Sequence, residues 1–129
     1  MAGKIIADTL EHSTAGSLTT DYVVNGSAKA WGNVASGGAS INDSQNVSSF
    51  TDSGTGDGDA NFTASFSTDD FAPSCSTDVA HGGYIRCIGI YPFVSKVDML
   101  TGYQTNNSAN NGVVAYDRPM YFHCHGDLA

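Results

Sequence analysis

The stretch from Asn46 to Phe66 constrains the fold more than any other part of the chain. Val47 and Ser49 alternate with Ser48 and Phe50, and Phe62, Ala64 and Phe66 recur at every second position, so each flank reads as a half-buried strand. Between the flanks lies Asp52-Ser-Gly-Thr-Gly-Asp-Gly-Asp59, whose glycines accept positive backbone dihedrals and whose Asp and Ser side chains bond nearby amides. This predicts a β-hairpin with a reversing loop over 52–59. Glu11 is the only glutamate, and 15 glycines with abundant Ser, Thr, Asn and Asp disfavour helices.

A chain of 129 residues, 40% of them apolar, builds one domain with a modest core and a short tail, and is too short for two. Its formal charge is −8, with Lys4, Lys29, Arg86, Lys96 and Arg118 as the only basic side chains, so a nucleic-acid backbone is repelled. No apolar run approaches the roughly 20 residues that span a bilayer, and no signal-peptide core follows Lys4. The expectation is a soluble product assembled in the cytoplasm where it is made, without membrane insertion. Cys75, Cys87 and Cys124 are odd in number and widely spaced, so they read as small hydrophobes in strands, with one pair still able to bridge.

Residues 1–27 hold two apolar islands, Ile5 to Leu10 and Tyr22 to Val24, around a polar turn, and cannot make a core alone. They read as an attachment arm or as an edge strand. The domain spans 28–129 and opens with Trp31, the only tryptophan, expected to anchor the core; a sugar-stacking platform is the alternative. Ile41 to Phe50 is read as one strand, and Thr68 to Ser74 as a connection closed by Pro73. Tyr84 to Tyr91 is apolar on both faces except at Arg86 and suits a central strand, in which Arg86 needs a carboxylate or an exit to solvent. Phe93 to Gly102, Val113 to Tyr116 and Met120 to His125 are further strands, and the polar run Gln104 to Asn111 is a contact tip or a solvated turn. The fold class is therefore all-β: an antiparallel sandwich or barrel of about seven to nine short strands with an N-terminal arm.

The central motif, Asn46-Val-Ser-Ser-Phe-Thr-Asp-Ser-Gly-Thr-Gly-Asp57 leading into Asn61-Phe-Thr63, resembles the C-terminal domains of tailed-bacteriophage tail fibres. The likeness extends upstream to Ala28-Lys-Ala-Trp-Gly-Asn33 and Ile41-Asn-Asp-Ser44 and covers residues 28–72, with Gly32 where that family has a β-branched residue. The resemblance implies a structural virion protein that forms homotrimers and binds other tail or capsid proteins and host surface glycan or protein. A short tail fibre is the first reading. A capsid decoration or head-fibre protein, bound to the shell through the arm, is the second, because Met1 begins an almost bare domain.

Candidate chemistry is sparse. Asp52, Asp57 and Asp59 invite a calcium reading, but their spacing departs from the EF-hand pattern at Gly54. In a strand, Met120, Phe122 and Cys124 face one way and Tyr121, His123 and His125 the other; three copies around an axis would bring six imidazoles together for a transition metal, and a simple exposed pair is the plain alternative. No Gly-x-Ser-x-Gly, His-Glu-x-x-His or phosphate-loop motif occurs, and His81 beside Gly82-Gly83 has no evident partner. No enzyme and no cofactor are expected. Tyr103 and Tyr91 are the candidate platforms for a lectin-like role.

Overall fold

The computed structural model describes residues 6–38, 40–78, 85–104 and 113–129. The chain starts with a small antiparallel hairpin, β1 (Thr9–His12) and β2 (Gly16–Thr19), followed by the short helix α1 (Thr20–Gly26). Tyr22-Val-Val24 thus lies in a helix and not in an edge strand. No residue of α1 is buried.

The rest is an antiparallel β-sandwich. One sheet is four-stranded, in the order β4 (Ile41–Gln45), β3 (Ala30–Val34), β11 (Met120–His125) and β7 (Ala72–Thr77). The other is five-stranded, with β5 (Val47–Gly54), β6 (Asp57–Phe62), β8 (Ile85–Phe93), β9 (Lys96–Gln104) and β10 (Val113–Ala115). Strand β9 is its spine. β8 pairs along one side of it, while β6 (through Leu100) and then β10 (from Gly102) share the other side.

The span 41–50 is two strands, because Asn46 carries the chain from one sheet to the other. It adopts φ 57°, a left-handed conformation that asparagine tolerates. Its side chain clasps Ala64, accepting from the Ala64 amide at 2.7 Å and donating to the Ala64 carbonyl at 3.0 Å. That clasp sits where β6 has ended at Phe62, so Phe66 follows a bend; its backbone forms an isolated bridge with Leu128, and its amide donates to Val94 O at 2.8 Å. The turn of the hairpin is tighter than the sequence suggests: only Thr55 and Gly56 separate β5 from β6.

Phe62, Phe66 and Phe71 fill one end of the core, with Phe66 and Phe71 stacked at 4.1 Å and Phe62 set edge-on to both. Ala30, Val34, Val97, Met99, Met120, Phe122 and Cys124 continue it between the sheets. Burying each aromatic ring stabilises the fold by about 1.5–3 kcal/mol. Met120, Phe122 and Cys124 share one face of β11 as the alternation predicts, and that face is the one turned inward.

Three expectations change. Trp31 is not in the core: Ala30, Gly32 and Val34 face inward and Trp31 faces out, half-buried. The reason is Phe122, whose ring lies so close over Gly32 that a Cβ there would meet it at 2.6 Å. Among the described residues strand β8 is an edge strand, pairing with β9 alone, and it leaves Ile88, Tyr91 and Phe93 exposed. Pro73 lies inside β7, where an edge position accommodates its missing amide. Edges β7 and β8 adjoin, and a Cys75–Cys87 disulfide joins them, so these two cysteines are a covalent clasp. Cys124 stays free in the core, its thiol pushed up to about 12 by burial.

Candidate functional site

The register of β3 against β11, from Ala30 with Cys124 to Val34 with Met120, gives the sandwich two unlike ends. At the first end the N-terminal segment joins. The Lys29 amide donates to Cys124 O at 2.8 Å, and His125 Nδ1 lies 3.0 Å from Gly26 O. Asn25 faces Ser67, Thr68, Phe71 and Asp127 across a shallow cleft. Beyond this junction the segment presents apolar side chains to solvent: Ile6 is 81% exposed, Tyr22 70% and Val24 57%, with Leu10, Leu18 and Val23 also exposed.

At the opposite end, the irregular run Tyr116 to Pro119 is held in place by neighbours from four separate parts of the chain. The Tyr116 amide donates to Thr101 O at 3.1 Å, and the buried Thr101 hydroxyl donates to Tyr116 O at 2.8 Å. The Gly56 amide donates to Asp117 Oδ1 at 2.6 Å, Ser36 Oγ to Asp117 O at 3.0 Å, and Thr77 Oγ1 to Pro119 O at 2.7 Å. Gly56 fills the seam where β6 gives way to β10. At φ 71° it sits against Thr101 O and the Tyr116 backbone, so no Cβ fits.

This scaffold presents Arg118. Its guanidinium carbon lies 4.9 Å from the centre of the Tyr116 ring, and Tyr116 meets Tyr103 edge-on at 6.3 Å and 72°. Arg118 Nε is enclosed and has no hydrogen-bond partner. The sequence pointed to Tyr103 but not to Tyr116 or Arg118. A Tyr-x-Arg pair at strand spacing was the available signal, and it is weak without the seam that positions it. Tyr91 is not part of this group, since it lies opposite Asp98. The polar run beside Tyr103 and His81 lie outside the described residues, apart from Gln104, which ends β9.

The outer sheet faces hold the other candidates. Trp31 sits opposite His123, with its Nε1 donating to Gln45 Oε1 at 2.8 Å. His123 and His125 share that outer side, rings 5.2 Å apart, with Ser74 Oγ 2.8 Å from His123 Nε2. Among the described residues no group of three or more His, Cys, Asp or Glu is placed to hold a metal ion. Asp57 and Asp59 are on β6 rather than around a loop, and Asp52 accepts from the Gly54 amide at 3.0 Å. Asp59 pairs with Lys96 at 2.7 Å, a hydrogen bond that raises the lysine above its ordinary value. Asp98, directly across from Asp59, is raised above the usual carboxylate range, first by burial and then by the charges of Asp57 and Asp59. Arg86 is exposed.

Comparison with protein-family models, curated proteins and solved structures finds no match. Among the described residues no helix is long and apolar enough to cross a membrane.

Proposed function

We propose that this chain is a structural protein of a tailed-phage virion, of the short tail-fibre or receptor-binding type, which acts by assembly and surface contact without catalysis. The observation that carries the reading is the N-terminal segment: five exposed apolar side chains on a hairpin and a helix, with exposed Ile6 just before them, joined to a sandwich. Such a surface is suited to docking on another virion protein. Its attachment at one end leaves the Tyr116–Arg118 end free to point outward. Exposed Ile88, Tyr91 and Phe93 on the edge strand β8 support homotrimerisation, since a neighbouring copy would cover them. The motif over 28–72 supports the fibre reading by resemblance.

A capsid decoration role is the second reading. It is favoured by the short connection between α1, ending at Gly26, and β3, starting at Ala30, which leaves no room for a shaft. Electron microscopy of the intact particle separates the two: density at the tail supports the fibre reading, density across the capsid lattice the decoration reading, and absence from the particle removes both.

A further inference from the structure

We propose that Arg118, Tyr116 and Tyr103 form a subsite for a carboxylate-bearing sugar, such as a uronic acid in an acidic surface polysaccharide; this rests on the surface-contact reading above for its biological meaning. In a chain of net charge −8, most cations have an evident occupation. Lys96 holds Asp59, Lys29 bonds Val24 O and the Ser27 hydroxyl, and Arg86 is engaged. Among the described residues nothing accepts a hydrogen bond from Arg118 Nε, and no carboxylate pairs with its guanidinium. The nearest acid in sequence, Asp117, is occupied by the Gly56 amide. The backbone on either side of Arg118 is anchored by Thr101, Gly56, Ser36 and Thr77, so this cation is presented on a rigid frame.

The ligand chemistry follows from three features. A guanidinium fork matches the two oxygens of a carboxylate. Tyr116, 45% exposed, and the edge-on Tyr103 form an apolar corner against which the C–H face of a pyranose can lie. The overall negative field favours one negative charge over the two of a phosphate monoester. The site lies at the end of the sandwich away from the N-terminal segment, where an external surface can reach it.

The test is calorimetric titration of the full chain with uronic acid oligosaccharides, their carboxyl-reduced neutral counterparts, and phosphorylated sugars of the same length. The expected result is binding of the uronic oligomer, a loss of about tenfold or more for the neutral one, weakening by added salt, and loss of binding in Arg118→Ala. Tyr116→Phe, which keeps the ring, retains most of the affinity, and Arg118→Lys does not restore it. Equal binding of acidic and neutral oligomers, preference for the phosphorylated sugar, no binding, or unchanged binding by a folded Arg118→Ala each overturns the proposal. If Arg118→Ala does not fold, the unmutated chain's preference between the three sugars decides. Adsorption of particles lacking the chain keeps the two readings apart. If such particles fail to adsorb while no sugar binds, surface contact stands and the subsite falls. If they adsorb normally while the uronic oligomer binds through Arg118, the subsite stands and its receptor role falls.

Discussion

The N-terminal hairpin and helix and the sandwich that follows them both carry large apolar side chains and place them differently. Ile6, Leu10, Leu18, Tyr22 and Val24 face solvent, whereas Phe62, Phe66, Phe71 and Phe122 are enclosed. The difference is one of layers. A two-stranded sheet and a helix of seven residues have no second layer to press against, while the sandwich brings two larger sheets face to face. Stability therefore belongs to the sandwich, and the N-terminal segment contributes an exposed apolar surface.

If that division holds, substitutions in the sandwich should dominate the unfolding free energy. Phe66→Ala, in a fully buried site between Phe62 and Phe71, is expected to cost about 3–5 kcal/mol, read from denaturant unfolding. Gly56→Val should cost about 2–4 kcal/mol, because it adds a side chain at positive φ into the backbone seam. It should also disturb the Arg118 frame, visible as a changed near-ultraviolet signal from Tyr116 and Tyr103. Loss of the clasp in Cys75→Ser/Cys87→Ser closes no 12-residue loop in the unfolded chain and is expected to cost about 2–3 kcal/mol, with reductant producing the same shift in the unmutated chain.

Asp98 gives a smaller effect of opposite sign. Its raised pKa means that the folded state binds this proton more tightly than the unfolded one, so its contribution favours folding at low pH and is lost as pH rises through the folded value. Asp98→Asn should therefore raise the melting temperature at neutral pH, and the gain should vanish below about pH 4, where the carboxyl is protonated in both states. The smallest effect belongs to the N-terminal segment. Tyr22→Ser and Val24→Ser should change the stability of the isolated chain by less than about 0.5 kcal/mol, while reducing incorporation into particles. A large loss of stability from either would mean that the segment is part of the core, and the comparison above would fail.

Legibility in the sequence follows the range of the forces involved. The existence of an antiparallel hairpin after Asn46, the shared face of Met120, Phe122 and Cys124 and the all-β class were readable, because strand alternation and turn chemistry are properties of neighbouring residues; the second strand of the hairpin, expected to run from Asn61 past Phe66, instead spans Asp57–Phe62. Tyr103 was readable as a candidate, being an aromatic beside a polar run. Arg118 was not, because its role depends on Gly56, Thr101, Ser36 and Thr77, which reach the same place from distant parts of the chain. The cysteines were read first as small hydrophobes in strands, which holds for Cys124, while only the meeting of edges β7 and β8 pairs Cys75 with Cys87.

The sequence by itself determined which residues of each strand share a face, since the backbone pleat sends successive side chains to opposite sides. It did not determine which face turns inward. That choice was made by tertiary packing: the Phe122 ring occupies the space above Gly32, Ala30 and Val34 close around it, and Trp31 is left outside. Two faces of one strand are alternatives of similar local energy, and only volume filled by residues far along the chain decides between them.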